Sequence, residues 1–261
     1  MGRSKIDRTG EKNINNFGSE MIIVEYRKWN DIDVYFPEYD WIAKRVRCNN
    51  FKNGKIKCPY ERTVLGIGYV GEGEYKMSKN GRSTRVYDTW YNMLMRCYSE
   101  KTHKKQPTYI GCEADESFHN FQNFGDWDKE NYYQVERERM CLDKDILLKG
   151  NKIYSPETCI YVPQTINTLF TKRQNDRGES VIGTSYHKRD KKYQAYCNLL
   201  NPETGKSKRS HLGYYDTELE AFEVYKYYKE KNIKEVADYF KEQIPSELYN
   251  ELYNYIVEIT D

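Results

Sequence analysis

Residues 181–240 leave this chain few folds to choose from. VIGTSYH (181–187), KYQAYCNLL (192–200) and KRSHLGYY (208–215) alternate apolar and polar residues, and turn-rich links separate them, so they read as three strands. The period then changes from two to 3.6 over Thr217 to Phe240, a helix opened by a T-x-x-E capping box at Thr217 and Glu220. In the middle strand Tyr193, Ala195, Cys197 and Leu199 share one face, with Gln194, Tyr196 and Asn198 on the other. One helix covers one face of such a sheet. The uncovered face then carries Ser185, His187, Gln194, Tyr196, Asn198, Arg209 and His211. An ordinary solvated surface and a ligand-reading surface both fit that pattern.

Upstream, residues 1–18 are polar and read as a flexible arm. Residues 21–36, MIIVEYRKWNDIDVYF, form two alternating runs around an Asn-Asp turn, a hairpin signature. Another turn rich in Asn and Gly follows within 46–56, so a small β-rich module extends to the glycines of GIGYVGEG (66–73). Tyr87, Trp90, Met93, Leu94 and Cys97 recur at helical spacing and predict a helix over 86–98. Phe118, Phe121, Phe124 and Trp127 repeat every three residues and give a second short helix. These stripes are read as core.

Residues 141–170, CLDKDILLKGNKIYSPETCIYVPQTINTLF, combine a short acidic strand, a turn-rich loop and a short helix. This is the order of parts in a one-metal ββα nuclease site. Asp143 closes the strand and Asn167 returns on the helix, two oxygen ligands for one divalent cation. A histidine beside Asp143 would deprotonate the attacking water. Lys144 stands there instead, and no histidine lies between His119 and His187.

Lys plus Arg number 42 against 40 Asp plus Glu, so the net charge of +2 selects no partner. Local basic runs at His103–Lys105, His187–Lys192 and Lys206–Arg209 matter more to phosphate binding. Seven cysteines without a CxxC pair argue against a zinc ribbon, and no structural zinc is expected. No apolar run approaches about 20 residues and no export signal opens the chain, so reduced thiols in a cytoplasmic protein are expected, with no membrane partner.

Two resemblances sharpen these readings. Gly183, Tyr193 with Ala195, the Gly205 turn, HLGYYDTELEAF (211–222) and Tyr225 resemble the plant ethylene-response-factor type DNA-binding domain, which also occurs in mobile-element endonucleases. In that family the sheet enters the major groove. The resemblance implies that Ser185, His187, Arg189, Lys192, Tyr196, Asn198, Arg209 and His211 point toward DNA. Positions usually held by Arg or Trp are here Ser185, His187, Asn198 and His211, so the plant target sequence does not carry over.

Trp90, Met93, Arg96 with Cys97, Phe121, Phe124, Trp127, LDKDI (142–146), GNKIYSPETC (150–159) and QTIN (164–167) are similar to a divergent branch of phage HNH endonucleases. That similarity implies Asp143 and Asn167 as metal ligands for Mg²⁺ or Mn²⁺, if the site is catalytic. Lys144 stands at the general-base position and Thr158 at the usual loop asparagine. Asp145 would serve as a substitute base, or Lys144 would hold the scissile phosphate. The arrangement also resembles phage and prophage proteins of Gram-positive hosts that share the NNFGSEMIIVEYRKWNDIDVYF module, whose Arg and Lys content suggests a second nucleic-acid contact or a plain solvated face.

The expected architecture is α+β. An arm at 1–18 precedes a β-rich module at 19–75 and an HNH-like ββα-metal domain at 84–172. A three-stranded antiparallel sheet plus helix follows at 180–242, then a C-terminal helix at 243–261. The expected activity is sequence-directed binding of double-stranded DNA with metal-dependent cleavage, in the cytoplasm of a bacterial host. An inactive DNA-binding regulator and a module that binds a host-defence protein are the alternatives. Homodimerisation stays open.

Overall fold

A computed structural model of the chain describes residues 7–170 and 180–261. It is a mixture of helices and antiparallel sheets arranged in two compact units, Met1–Lys129 and Glu130–Asp261. The boundary falls inside the 84–172 stretch. No helix among the described residues is long and apolar enough to cross a membrane.

The first unit opens with an antiparallel meander of β1 (Lys12–Ile14), β2 (Glu20–Lys28), β3 (Asp31–Phe36) and β4 (Trp41–Val46). Strict alternation in β3 sends Ile32, Val34 and Phe36 inward, where Met21 and Ile23 of β2 meet them. On the opposite face Arg27 bonds Asp31 and Asp33, and its guanidinium holds both carboxyls below their usual range. Two expectations need correction here. Residues 12–14 of the expected arm are a strand, paired with Glu20–Ile22. The chain after β4 turns into a short helix, α1 (Cys48–Lys52), whose Cys48 and Phe51 close the core.

After a small hairpin, β5 (Ser78–Lys79) and β6 (Arg82–Ser83), come α2 (Arg85–Tyr98), α3 (Glu100–Lys105), the two-residue strand β7 (Glu113–Ala114) and α4 (Phe121–Asn131). The aromatic stripes are core as expected. Trp90 of α2 is fully buried, lies 5.3 Å from Phe121 and donates its indole N–H to the Phe118 carbonyl. Arg85 forks onto buried Asp128 and ties α2 to α4.

The second unit begins with β8 (Met140–Asp143), the short β9 (Ile153–Tyr154), β10 (Ile160–Pro163) and α5 (Gln164–Leu169). It continues with β11 (Thr184–His187), β12 (Lys192–Asn201), β13 (Lys206–Tyr215), α6 (Glu218–Phe240) and α7 (Ser246–Tyr253). The expected terminal helix over 243–261 is thus only α7, and Asn254 ends it.

Strand order β11-β12-β13 is antiparallel, and the Thr217–Glu220 capping box opens α6. Ala221, Phe222, Tyr225, Ile233, Val236, Ala237 and Phe240 recur at helical spacing and form its buried stripe. Gly183 lets that helix approach: a Cβ there would sit 2.1 Å from the Tyr225 ring. Val162, Ile166 and Leu169 from the hairpin–helix join Leu200, Ile233, Val236 and Phe240 in one continuous core. Buried Asn232 seals it, donating to the Leu200 carbonyl and accepting the Leu200 N–H, each at 2.8 Å.

Candidate functional site

Two groups of residues were singled out by sequence, and both lie in the second unit. The first is the β8–β10–α5 segment. Asp143 pairs with Ile160 at the end of the hairpin, and β10 runs directly into α5. The Asp143 Oδ1 accepts the N–H groups of Asp145 and Ile146 at 2.9 and 2.8 Å, which turns the chain sharply out of the strand. Burial, reinforced by the charge of Asp145, pushes the Asp143 carboxyl up to about 6.

Lys144 points into the loop rather than out of it. Its side chain is 7 % exposed, and its ammonium donates to the Asn151 carbonyl at 2.8 Å and lies 3.3 Å from Asp145. Asn151 answers through its own amide, which donates to the carbonyls of Lys144 and Ile153. Asn151 thus bridges the loop, seven residues before Thr158. Thr158 adds a bond to the same Ile153 carbonyl. In this structure the Lys144 ammonium is directed into the loop, onto Asn151 and Asp145. Glu138 closes the segment by accepting the Thr165 N–H and hydroxyl at the start of α5. Asn167 sits half-buried on α5, which packs against both β8 and β10.

Among the described residues no group of three or more His, Cys, Asp or Glu is placed to hold a metal. The oxygen donors singled out by sequence are fewer: Asp143 at the strand end, with like-charged Asp145 beside it, and Asn167 on α5. A hard dication that keeps most of its water needs few protein oxygens, and it would favour the charged Asp143 carboxylate that burial, and then the charge of Asp145, disfavour. Two such oxygen donors would suit only a weakly held, hydrated cation. None of the seven cysteines is in a disulfide.

The second group is the outer face of β11–β13. Cross-strand pairs put Ser185 opposite Gln194, Tyr196 opposite His211 and Asn198 opposite Arg209. Ala195 and Cys197 face α6 and are buried, while Asn198, Arg209 and His211 are exposed. The Arg209 guanidinium stacks 3.9 Å over the Tyr196 ring, which limits its freedom and leaves its edge toward solvent. Gln194 donates to Ser185. Arg189, in the β11–β12 turn, is 85 % exposed and touches Asp190; Lys192 at the start of β12 reaches Asp216 at 3.1 Å.

Tyr214 was not foreseen in this set. The register skips Leu212 between the Ala195–Gly213 and Tyr196–His211 pairs, and Gly213 takes φ +132°. That bulge moves Tyr214 onto the outer face, opposite Gln194, where its ring lies 5.4 Å from His187 and 4.8 Å from His211. Gly213 before two tyrosines was the available signal. The buried alternation also slips at the far end of β12, where Leu200 is more buried than Leu199.

Compared with known protein families, curated proteins and solved structures, the chain matches none.

Proposed function

We propose that this chain is a phage-type protein that binds double-stranded DNA in a sequence-directed way, with the outer face of β11–β13 as reader. The observation that carries the reading is the set of donors left pointing outward on that face. Arg209 is pre-oriented on Tyr196, Asn198 stands beside it, and the His187–Tyr214–His211 ring cluster lies next to them. Two strand spacings of about 4.8 Å make this sheet roughly 10 Å across, within the major groove's width of about 12 Å. Arg189 and Lys192 at the turn supply charge for flanking phosphates. The test is fluorescence anisotropy with a labelled duplex pool, comparing wild type with Arg209→Ala/His211→Ala. Weaker binding by a folded variant supports the reading; unchanged affinity removes the sheet as reader.

A second reading, metal-dependent phosphodiester hydrolysis at β8–β10–α5, is favoured by the Asp143–Asp145 acid pair at the strand end. Asp143 and Asn167 would hold Mg²⁺ or Mn²⁺, which when bound polarises a phosphoryl oxygen. Asp145, 49 % exposed and steadied by Lys144, would take the proton from the attacking water, because residues 130–170 contain no imidazole. Supercoiled plasmid with Mg²⁺, Mn²⁺ or EDTA tests this. Nicking that disappears in Asp143→Ala and Asn167→Ala, with duplex binding kept, identifies a nuclease. Binding without nicking identifies a regulator on the same scaffold, and neither points to a host protein partner. The reading places the protein in the bacterial cytoplasm, where its thiols stay reduced.

A further inference from the structure

The first unit carries aromatic rings and cations together, and the core does not need either. Trp29, in the β2–β3 turn, is 47 % exposed, as is Phe17 in the β1–β2 turn. The Arg8 guanidinium and the Lys52 ammonium lie 5.8 and 5.2 Å from the Trp29 ring centre, and the Lys57 ammonium lies 4.9 Å from that of Phe17. A large ring left open to water costs hydrophobic free energy, and three cations rest against two such rings here.

These positions are built, not loose. The Trp29 carbonyl accepts the Cys48 N–H at 2.9 Å, which seats the turn on α1. The Asn13 amide donates to the carbonyls of Phe51 and Lys52, and the Asn16 N–H donates to the Gly54 carbonyl at 2.9 Å. Buried Asn15 donates to the Ile56 carbonyl and to Glu61. The segment around β1 is thereby fastened to residues 47–57, with Phe17 and Lys57 beyond one end of β2 and Trp29 and Lys52 beyond the other.

The charge is one-sided. Residues 41–60 contain six cations (Lys44, Arg45, Arg47, Lys52, Lys55 and Lys57) and no Asp or Glu. Lys52, Lys55 and Lys57 engage no carboxylate among the described residues. Arg8 does pair with Glu11 at 2.8 Å, which holds its guanidinium near the ring.

A base that stacks on one of these rings displaces the cation now lying over it toward the phosphates on either side. Paired bases present no free face, so the ligand that uses both features is a strand with unpaired bases. We propose that Trp29 and Phe17 of the first unit form a stacking platform for single-stranded nucleic acid. It acts independently of duplex recognition by the β11–β13 face. A protein that opens or receives a displaced strand would hold it here.

The experiment uses the full chain and a fluorescein-labelled oligo-dT of about twelve nucleotides, within the usual footprint of such sites. The same phosphate chain with abasic central positions, an oligo-U of equal length and a duplex run in parallel. Wild type is expected to bind oligo-dT and to quench its tryptophan emission on binding. It should hold the abasic chain about tenfold more weakly, since stacking carries that share of affinity. Trp29→Ala should lose about tenfold on oligo-dT and change little on the duplex, while Trp29→Phe keeps most of the binding. Equal binding of oligo-U supports the platform for both nucleic acids; preference for dT supports it for DNA.

Equal affinity for abasic and normal chains, or for Trp29→Ala and wild type, overturns the proposal, as does failure of wild type to bind any single strand. The abasic comparison decides the matter even if Trp29→Ala does not fold. Loss of duplex binding alone would strike the β11–β13 reading and leave this one standing.

Discussion

The hairpin–helix of 140–169 and the outer face of β11–β13 share one core, yet they spend their polar side chains in opposite ways. In the hairpin–helix, Lys144, Asn151, Thr158 and Glu138 all turn onto backbone groups of their own segment. On the sheet, Asn198, Arg209 and His211 leave their heads toward solvent. Residues of similar chemistry are scaffold in one place and available to a ligand in the other. A polar residue's type therefore says less about function than whether its hydrogen bonds are already complete.

The largest effect should come from breaking what the two regions share. Asn232→Ala leaves both backbone groups of Leu200 without their partner and should cost about 3 kcal/mol in urea unfolding. Because the core is continuous, hairpin–helix and sheet should unfold in one transition; two separated transitions would show that they are independent.

Lys144→Ala sharpens the contrast. Removing the ammonium that bonds Asn151 should cost about 2 kcal/mol and leave the duplex affinity of the folded protein unchanged. Arg209→Ala/His211→Ala should do the reverse, lowering duplex affinity about tenfold with an unchanged urea midpoint. A reversed outcome in either variant breaks the distinction.

The Asp143 carboxyl gives a pH signature of the first region. Its folded value, about 6, lies above the unfolded carboxylate value near 4, so the native chain holds an extra proton between them. Relative to Asp143→Asn, wild-type stability should fall as pH rises from about 4 to about 6 and then level off. Mn²⁺ should recover part of that loss above pH 6 in wild type and none in Asp143→Asn, read from the melting temperature. The smallest effect belongs to Arg189→Ala. It should weaken duplex binding about threefold and reduce the salt slope by about one.

The regular parts of both units were legible in the sequence because periodicity reports burial. Ile32, Val34 and Phe36 marked β3, the Trp90 stripe marked α2, and the 181–240 pattern marked three strands and α6. What escaped had no such periodicity. Lys-Asn-Ile of β1 buries none of its side chains, so no apolar alternation marks it as a strand. Cys48–Lys52 is too short to show a helical stripe. In the site, Asp143 at the strand end and the outward set on the sheet followed from alternation. The inward turn of Lys144 and the bridge made by Asn151 depend on rotamers and loop closure, which no spacing encodes. Tyr214 depended on a bulge that changes parity halfway along β13.

The central claim is that the outer face of β11–β13 grips duplex DNA. Its most direct test is duplex affinity against salt concentration for wild type and for Arg189→Ala/Arg209→Ala/His211→Ala. The account predicts a steep linear fall of log affinity with log salt in wild type, and a shallower line at lower affinity in the variant. Superimposable lines, or no binding by wild type at low salt, would contradict it.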